Sequence, residues 1–266
     1  MISIIRNKKR FRRVAVGAFS ALFWIGIWQW AYLAAGQEIL VASPAEVLCR
    51  LLDLVRQRNF WLTVLLSVCR ITEGFFLGVI LGCGAAVLTE TSSVGNALLR
   101  PVIGIMKATP VASFIILALV WMKTSQVPSF ASALIVLPIL WANVSEGIRK
   151  TDRRLLQMAE LYRFGRIGTV RRVYLPSVLP YFTAACTTGM GMAWKGGVAA
   201  EVLSSLPLSL GGEIYNSKIY LETADLFSWT AVVIVLSVLL EQALLRVVKY
   251  AGRRYGFYSG EERNGD

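Results

Sequence analysis

Residues 14–35 read Val14-Ala15-Val16-Gly17-Ala18-Phe19-Ser20-Ala21-Leu22-Phe23-Trp24-Ile25-Gly26-Ile27-Trp28-Gln29-Trp30-Ala31-Tyr32-Leu33-Ala34-Ala35, 22 positions without a formal charge. Arg6, Lys8, Lys9, Arg10, Arg12 and Arg13 stand directly before them. A helix needs about 20 apolar residues to cross a bilayer core, and this run has them. A signal peptide shares the basic lead, and Ala31 to Ala35 offers small residues, but its apolar region is only about 7–15 residues long. The stretch therefore reads as an uncleaved span. Trp28, Trp30 and Tyr32 sit near its far end, where amphipathic rings favour the headgroup layer.

Comparable runs follow at 61–88, 102–122, 127–148, 177–203 and 226–245. Over 266 residues the chain is 56% hydrophobic and 17% charged, with a mean hydropathy of +0.58. Soluble domains hold about 45–50% apolar and about 25% charged residues. This composition excludes a soluble enzyme, a secreted disulfide scaffold and a disordered tail. The expected fold is all-α and polytopic, with six transmembrane helices. Residues 1–13 form a basic N-terminus and 14–35 the first span. Residues 36–250 form a core with five further spans, and 251–266 a tail. The expected connections are a polar stretch over 37–60, short turns at 89–101 and 123–128, a basic loop at 149–176 and an acidic-leaning loop at 204–225.

The net charge is +12. In a soluble protein this would point to nucleic acid; in a membrane protein Lys and Arg collect on cytoplasmic loops. With the N-terminus inside, the inside segments carry 20 of the 28 cations and the outside segments 5. Both termini are expected in the cytoplasm. The chain has no histidine, which excludes a His-based zinc site, general base or triad. Cys49, Cys69, Cys83 and Cys186 lack metal-ligand or redox spacing, so neither metal, cofactor nor catalytic residue is expected.

The most unusual segment is the loop from Arg149 to Pro176. Thr151 or Asp152 is placed to cap a helix, and no Pro or Gly interrupts the next twelve residues. Leu155, Ala159 and Tyr162 then fall at i, i+4 and i+7 beside Met158, an apolar ridge flanked by Arg154, Gln157, Glu160 and Arg163. So short and charged a helix does not span. It suits the membrane surface, a nucleic acid, or a groove on a partner.

Here the sequence resembles the permeases of binding-protein-dependent ABC importers, whose cytoplasmic loop reads Glu-Ala-Ala, three residues, Gly, nine residues, Ile, one residue, Leu-Pro. Aligned on Leu175-Pro176, Gln157 takes the Glu position, Met158 and Ala159 the alanines, Arg163 the Gly and Val173 the Ile. Ala159, Leu175 and Pro176 match, Val173 is conservative, and Gln157, Met158 and Arg163 depart. Further matching stretches are Val41-Ala42-Ser43-Pro44, Ser67-Val68-Cys69-Arg70-Ile71-Thr72-Glu73-Gly74-Phe75, Lys107-Ala108-Thr109-Pro110-Val111, Leu137-Pro138 and Ala199-Ala200-Glu201. Their order is similar to the nitrate/sulfonate/taurine-type branch.

The resemblance implies a type I importer permease in the bacterial inner membrane, paired with a second copy. It implies ABC ATPase subunits docked on the loop helix and an extracytoplasmic substrate-binding protein. Gln157 lacks the charge for an ion-pair role. With Arg163 at the Gly position, any turn with positive φ would fall at Gly165 or Gly168. The chain has no G-x-x-x-x-G-K-[ST] and so no phosphate cradle of its own; Leu208-Ser209-Leu210-Gly211-Gly212-Glu213 resembles an ABC signature only superficially. Substrates compatible with the branch include nitrate, sulfonates, taurine, bicarbonate and a vitamin precursor.

Within the spans, Arg70 and Glu73 are spaced to pair, either as a buried pair or along a solute path together with Lys195 and Glu201. An ion-coupled secondary transporter built on these four is the alternative function. Lys107, one turn inside the cytoplasmic boundary, is placed to snorkel. Gly74, Gly78 and Gly82 form a small-residue stripe, suited to packing within the chain, against a second copy or along a pore. Pro110 and Pro138 are placed to kink their helices.

Overall fold

The computed structural model describes the backbone of residues 2–37 and 39–254. The side chains of the basic lead 1–13 and of the tail 251–266 lie outside the described set. All regular structure among the described residues is helical: α1 (Ile2–Ala35), α2 (Pro44–Arg56), α3 (Arg58–Thr91), α4 (Ser93–Ala108), α5 (Val111–Trp121), α6 (Val127–Arg149), α7 (Arg153–Leu161), α8 (Arg166–Thr169), α9 (Leu175–Leu203), α10 (Leu210–Ile219) and α11 (Thr223–Arg254).

Among the described residues, Arg58–Thr91, Thr124–Arg149 and Thr223–Val248 are long and apolar enough to cross a bilayer. The third run is not one helix. It breaks between α4 and α5 with a bend of 106°, and the pair passes the same test only together. Pro110 explains the break: it forces Thr109 out of the α region, and both residues are extended, with ψ of 133° and 132°. Leu22–Ala35 is a shorter apolar stretch. By length and composition three of the six expected crossings, or four with the bent pair, meet this test among the described residues. α9 has the length, at 29 residues, but is too rich in small and polar residues to pass the same test, and ten of its residues are buried.

The turn expected over 89–101 is also absent. α3 runs on to Thr91, Ser92 alone is extended, and its Oγ accepts from Gly95 N at 3.2 Å to cap α4. Pro101 lies inside α4.

The described residues fall into two compact units. In the larger, Leu62–Gly212 with the chain from Val233, α3 and α9 both pack on α6. Ile71, Phe75, Val136, Leu140, Ala193 and Trp194 are almost wholly buried there. Ser132 Oγ donates to Ala193 O at 3.1 Å and Trp194 Nε1 to Val233 O at 3.0 Å. A Cβ on Gly74 would lie 2.1 Å from Ser129 O, one on Gly78 2.7 Å from Val136 Cβ, and one on Gly82 2.7 Å from Leu137 O. The stripe on α3 thus faces α6 of the same chain. Pro138 is buried inside α6. Lys107 lies over the Trp141 ring, 5.0 Å from its centroid.

In the smaller unit, up to Trp61 with Glu213–Val232, the Val41-Ala42-Ser43-Pro44 stretch is a helix start. Ser43 Oγ accepts from Glu46 N at 3.2 Å, the Glu46 carboxylate accepts from Ser43 N at 2.9 Å, and Pro44 opens α2. Such reciprocal capping satisfies two otherwise orphaned N–H groups. Arg50 donates through Nε and Nη2 to both oxygens of Asp225, a two-point grip that holds the guanidinium pKa above its usual value. Ser228 Oγ reaches Val47 O at 3.2 Å, and Trp28 stacks on Phe227.

Candidate functional site

The loop between α6 and α9 is helical almost throughout. Of the two candidate caps, Asp152 is the one used: its Oδ1 accepts from Arg154 N at 2.8 Å, while Thr151 Oγ1 donates back to Gly147 O at 3.1 Å. α7 ends in a paired closing turn, with Phe164 N bonded to Ala159 O at 2.8 Å and Arg163 N to Glu160 O at 2.9 Å. That geometry places the residue after the helix in the left-handed region.

Arg163 occupies this position, with φ +52°. The positive-φ turn expected at Gly165 or Gly168 therefore falls on Arg163, the position where the family pattern has Gly. The two hydrogen bonds outweigh the roughly 1 kcal/mol that a Cβ costs there. Arg163→Gly is accordingly expected to stabilise the purified chain by about 0.5–1 kcal/mol, read as a higher melting temperature in detergent.

The apolar ridge divides between two faces. Ala159 is 1% exposed and turns into the chain, where α7 packs against the π-helical turn Val170–Tyr174 containing buried Val173. It is a seat for the loop and not part of an outward surface. Leu155 and Met158 are each 41% exposed and Tyr162 69%, and Gln157 is exposed beside them. Pro176 lies in the first turn of α9, and Leu175 starts it.

Sequence reasoning missed Leu161, Ile167 and Val170, which are all exposed. A four-residue helix such as α8 is too short to show a period. Exposed Arg153, Arg154, Arg163, Arg166 and Arg171 flank these apolar side chains, and Arg172 lies over the Phe164 ring. Arg149 and Lys150 are engaged by Glu90 and Glu146 at 3.1–3.7 Å. The loop thus presents an apolar strip edged by cations that form no ion pair among the described residues.

The intramembrane charges do not pair as their spacing allows. Arg70 Nη1 donates to Leu208 O at 3.2 Å. Ser129 Oγ donates to Arg70 O at 2.8 Å and lies 3.4 Å from Glu73 Oε2. Glu73 is exposed, so a buried Arg70–Glu73 pair is not what the fold builds. Glu201 is fully buried and accepts from Gly211 N at 3.1 Å. Lys195 is exposed and lines an open apolar cavity of about 480 Å³ with Trp194, Val198 and Val233.

Apolar helices around a small-residue seam, with a basic loop presenting an exposed apolar strip, are the features of a multi-pass membrane protein. Residues 74–254 match the family model of the binding-protein-dependent transport system inner membrane component, and the chain belongs to that family. It is 23% identical over 241 residues to a probable ABC transporter permease protein of Brucella melitensis, covering 88% of this chain and 95% of that one. It is 23% identical over 239 residues to the taurine transport system permease protein TauC of Escherichia coli, covering 87% and 86%. It is 27% identical over 160 residues to the bicarbonate transport system permease protein CmpB of Synechococcus elongatus, covering 59% and 57%.

Among solved structures, the MetNI methionine ABC transporter aligns at 17% identity and a TM-score of 0.56, covering 73% of this chain and 94% of that one. A bacterial ABC transporter that imports the acidic polysaccharide alginate aligns at 14% and 0.56, covering 93% and 98%. The fold is thus that of type I ABC importer permeases, and the chain is a multi-pass inner-membrane permease subunit of an ABC importer, with sulfonate-, taurine- and bicarbonate-type relatives.

Proposed function

We propose that this permease takes a small solute from an extracytoplasmic binding protein and passes it inward, driven by separate ATPase subunits seated on α7 and α8. Two copies of the chain form the path, and both termini are cytoplasmic. The observation that carries this reading is the apolar strip of Leu155, Met158, Leu161, Tyr162 and Ile167, edged by cations, on a chain without a phosphate-binding loop of its own. Exposed apolar strips rimmed by polar groups mark protein contact sites. The branch of the family and the names of the relatives favour a small sulfonate, taurine, nitrate or bicarbonate as the solute.

The test is uptake of radiolabelled taurine and bicarbonate by proteoliposomes holding the chain with an ABC ATPase and a substrate-binding protein from the same organism. Uptake should require internal ATP and the binding protein. Uptake that continues without the ATPase and collapses with an ion gradient would overturn this reading in favour of an ion-coupled secondary transporter.

A further inference from the structure

We propose that Glu201 is a positioning residue which, with Ser67, seats residues 206–212 as a lid on the ends of α9 and α3. The proposal rests on the permease reading, in which this end of α9 faces outward.

The start of α10 has three N–H groups with no partner inside the helix, and each is taken by a different side chain. Leu210 N donates to Ser67 Oγ of α3 at 2.9 Å, Gly211 N to Glu201 Oε2 of α9 at 3.1 Å, and Gly212 N to Ser209 Oγ at 2.9 Å. These N–H groups belong to the stretch that resembles an ABC signature, and none is left for a phosphate.

Ser67, Glu201, Ser209 and Leu210 are all 0% exposed. α9 closes with Ser205 at φ +47° and with Leu206 N bonded to Glu201 O at 3.2 Å. Glu201 therefore holds the segment twice, by its backbone and by its carboxylate. Arg70 clasps the same segment through Leu208 O. Only glycine permits the approach: a Cβ on Gly211 would lie 2.5 Å from Val202 N, and one on Gly212 2.0 Å from Leu206 O.

A buried carboxyl group is costly unless it is hydrogen-bonded or paired. Glu201 Oε2 accepts from Gly211 N, and the Ser67 hydroxyl lies within reach of the same carboxylate, so the seat itself draws on one acceptor oxygen. A glutamine supplies that acceptor; an alanine does not.

The experiment is amide hydrogen exchange on the full chain in lipid nanodiscs, with membrane-impermeant maleimide labelling of Leu208→Cys in whole cells and in inverted vesicles. Glu201→Ala should speed exchange at Gly211 about tenfold or more, and Ser67→Ala should do so at Leu210. Glu201→Gln should restore native exchange at Gly211, which separates a required acceptor from general damage. Leu208→Cys should label from outside, above the background of the parent chain's own cysteines, and faster when combined with Glu201→Ala. Unchanged exchange in Glu201→Ala, or exchange in Glu201→Gln as fast as in Glu201→Ala, overturns the seat. Labelling of Leu208→Cys only in inverted vesicles overturns the orientation assigned to the permease, and with it the lid's place at the outer mouth.

Discussion

A chain carrying Met158→Glu and Tyr162→Glu together is expected to insert, melt close to the parent temperature and fail to hold the ATPase subunit proposed to dock on α7. Both side chains project from α7, at 41% and 69% exposure, so charging them disturbs little packing within the chain beyond the contact of the Tyr162 ring with Phe164. In a docked complex each would be an apolar anchor, and burying a carboxylate there costs further free energy. Two anchors at about 2 kcal/mol each amount to roughly a thousandfold in affinity, enough to abolish co-purification. Ala159→Glu is the informative contrast. Ala159 is closed inside the loop, so a glutamate there should lower the melting temperature of the chain alone. If the double variant co-purifies as well as the parent, the docking face is wrongly placed.

That contrast also marks how far the sequence can be read. The helical period placed α7 and its apolar residues, because a ridge at i, i+4 and i+7 has few other uses. It could not tell which apolar residue faces the chain itself and which faces a partner, since both sides of so short a helix are apolar. Two of the pattern positions, Ala159 and Val173, take the inner side, although Leu175 is half-exposed, while Leu161 and Ile167, outside the pattern, are the most exposed. Arg163 was illegible for another reason. Side-chain preference points to a nearby glycine, but the closing hydrogen bonds of α7 fix the turn one residue past Tyr162, whatever stands there. Likewise the spacing of Arg70 and Glu73 permits an ion pair without requiring one, and Leu208 O and Ser129, distant in sequence, take their polar atoms instead. The runs at 61–88, 127–148 and 226–245 were legible as spans. The 106° break inside the run at 102–122 was not, because Pro110 marks a disturbance without its angle.

The second large effect concerns the seam between α3 and α6. Gly74→Ala is expected to destabilise the chain by about 3 kcal/mol or more, read as lost thermal stability in detergent. The new methyl would lie 2.1 Å from Ser129 O and 2.7 Å from Ser129 Cα. Those are backbone atoms, so no rotamer change relieves the clash and the helices must part. Separation also breaks the bond from Ser129 Oγ to Arg70 O and loosens the buried contacts of Phe75 and Ile71, the kind of close packing that small residues exist to allow between membrane helices. Gly84→Ala on the same helix is the control. Nothing lies within 4 Å of its Cβ position, so only the helix preference changes, in alanine's favour by up to about 1 kcal/mol. The comparison also separates the possible partners of the stripe. If it met a second copy, Gly74→Ala would shift the chain from dimer to monomer without lowering its melting temperature. If it meets α6 of its own chain, melting falls in the monomer too, and to a degree that Gly84→Ala does not approach.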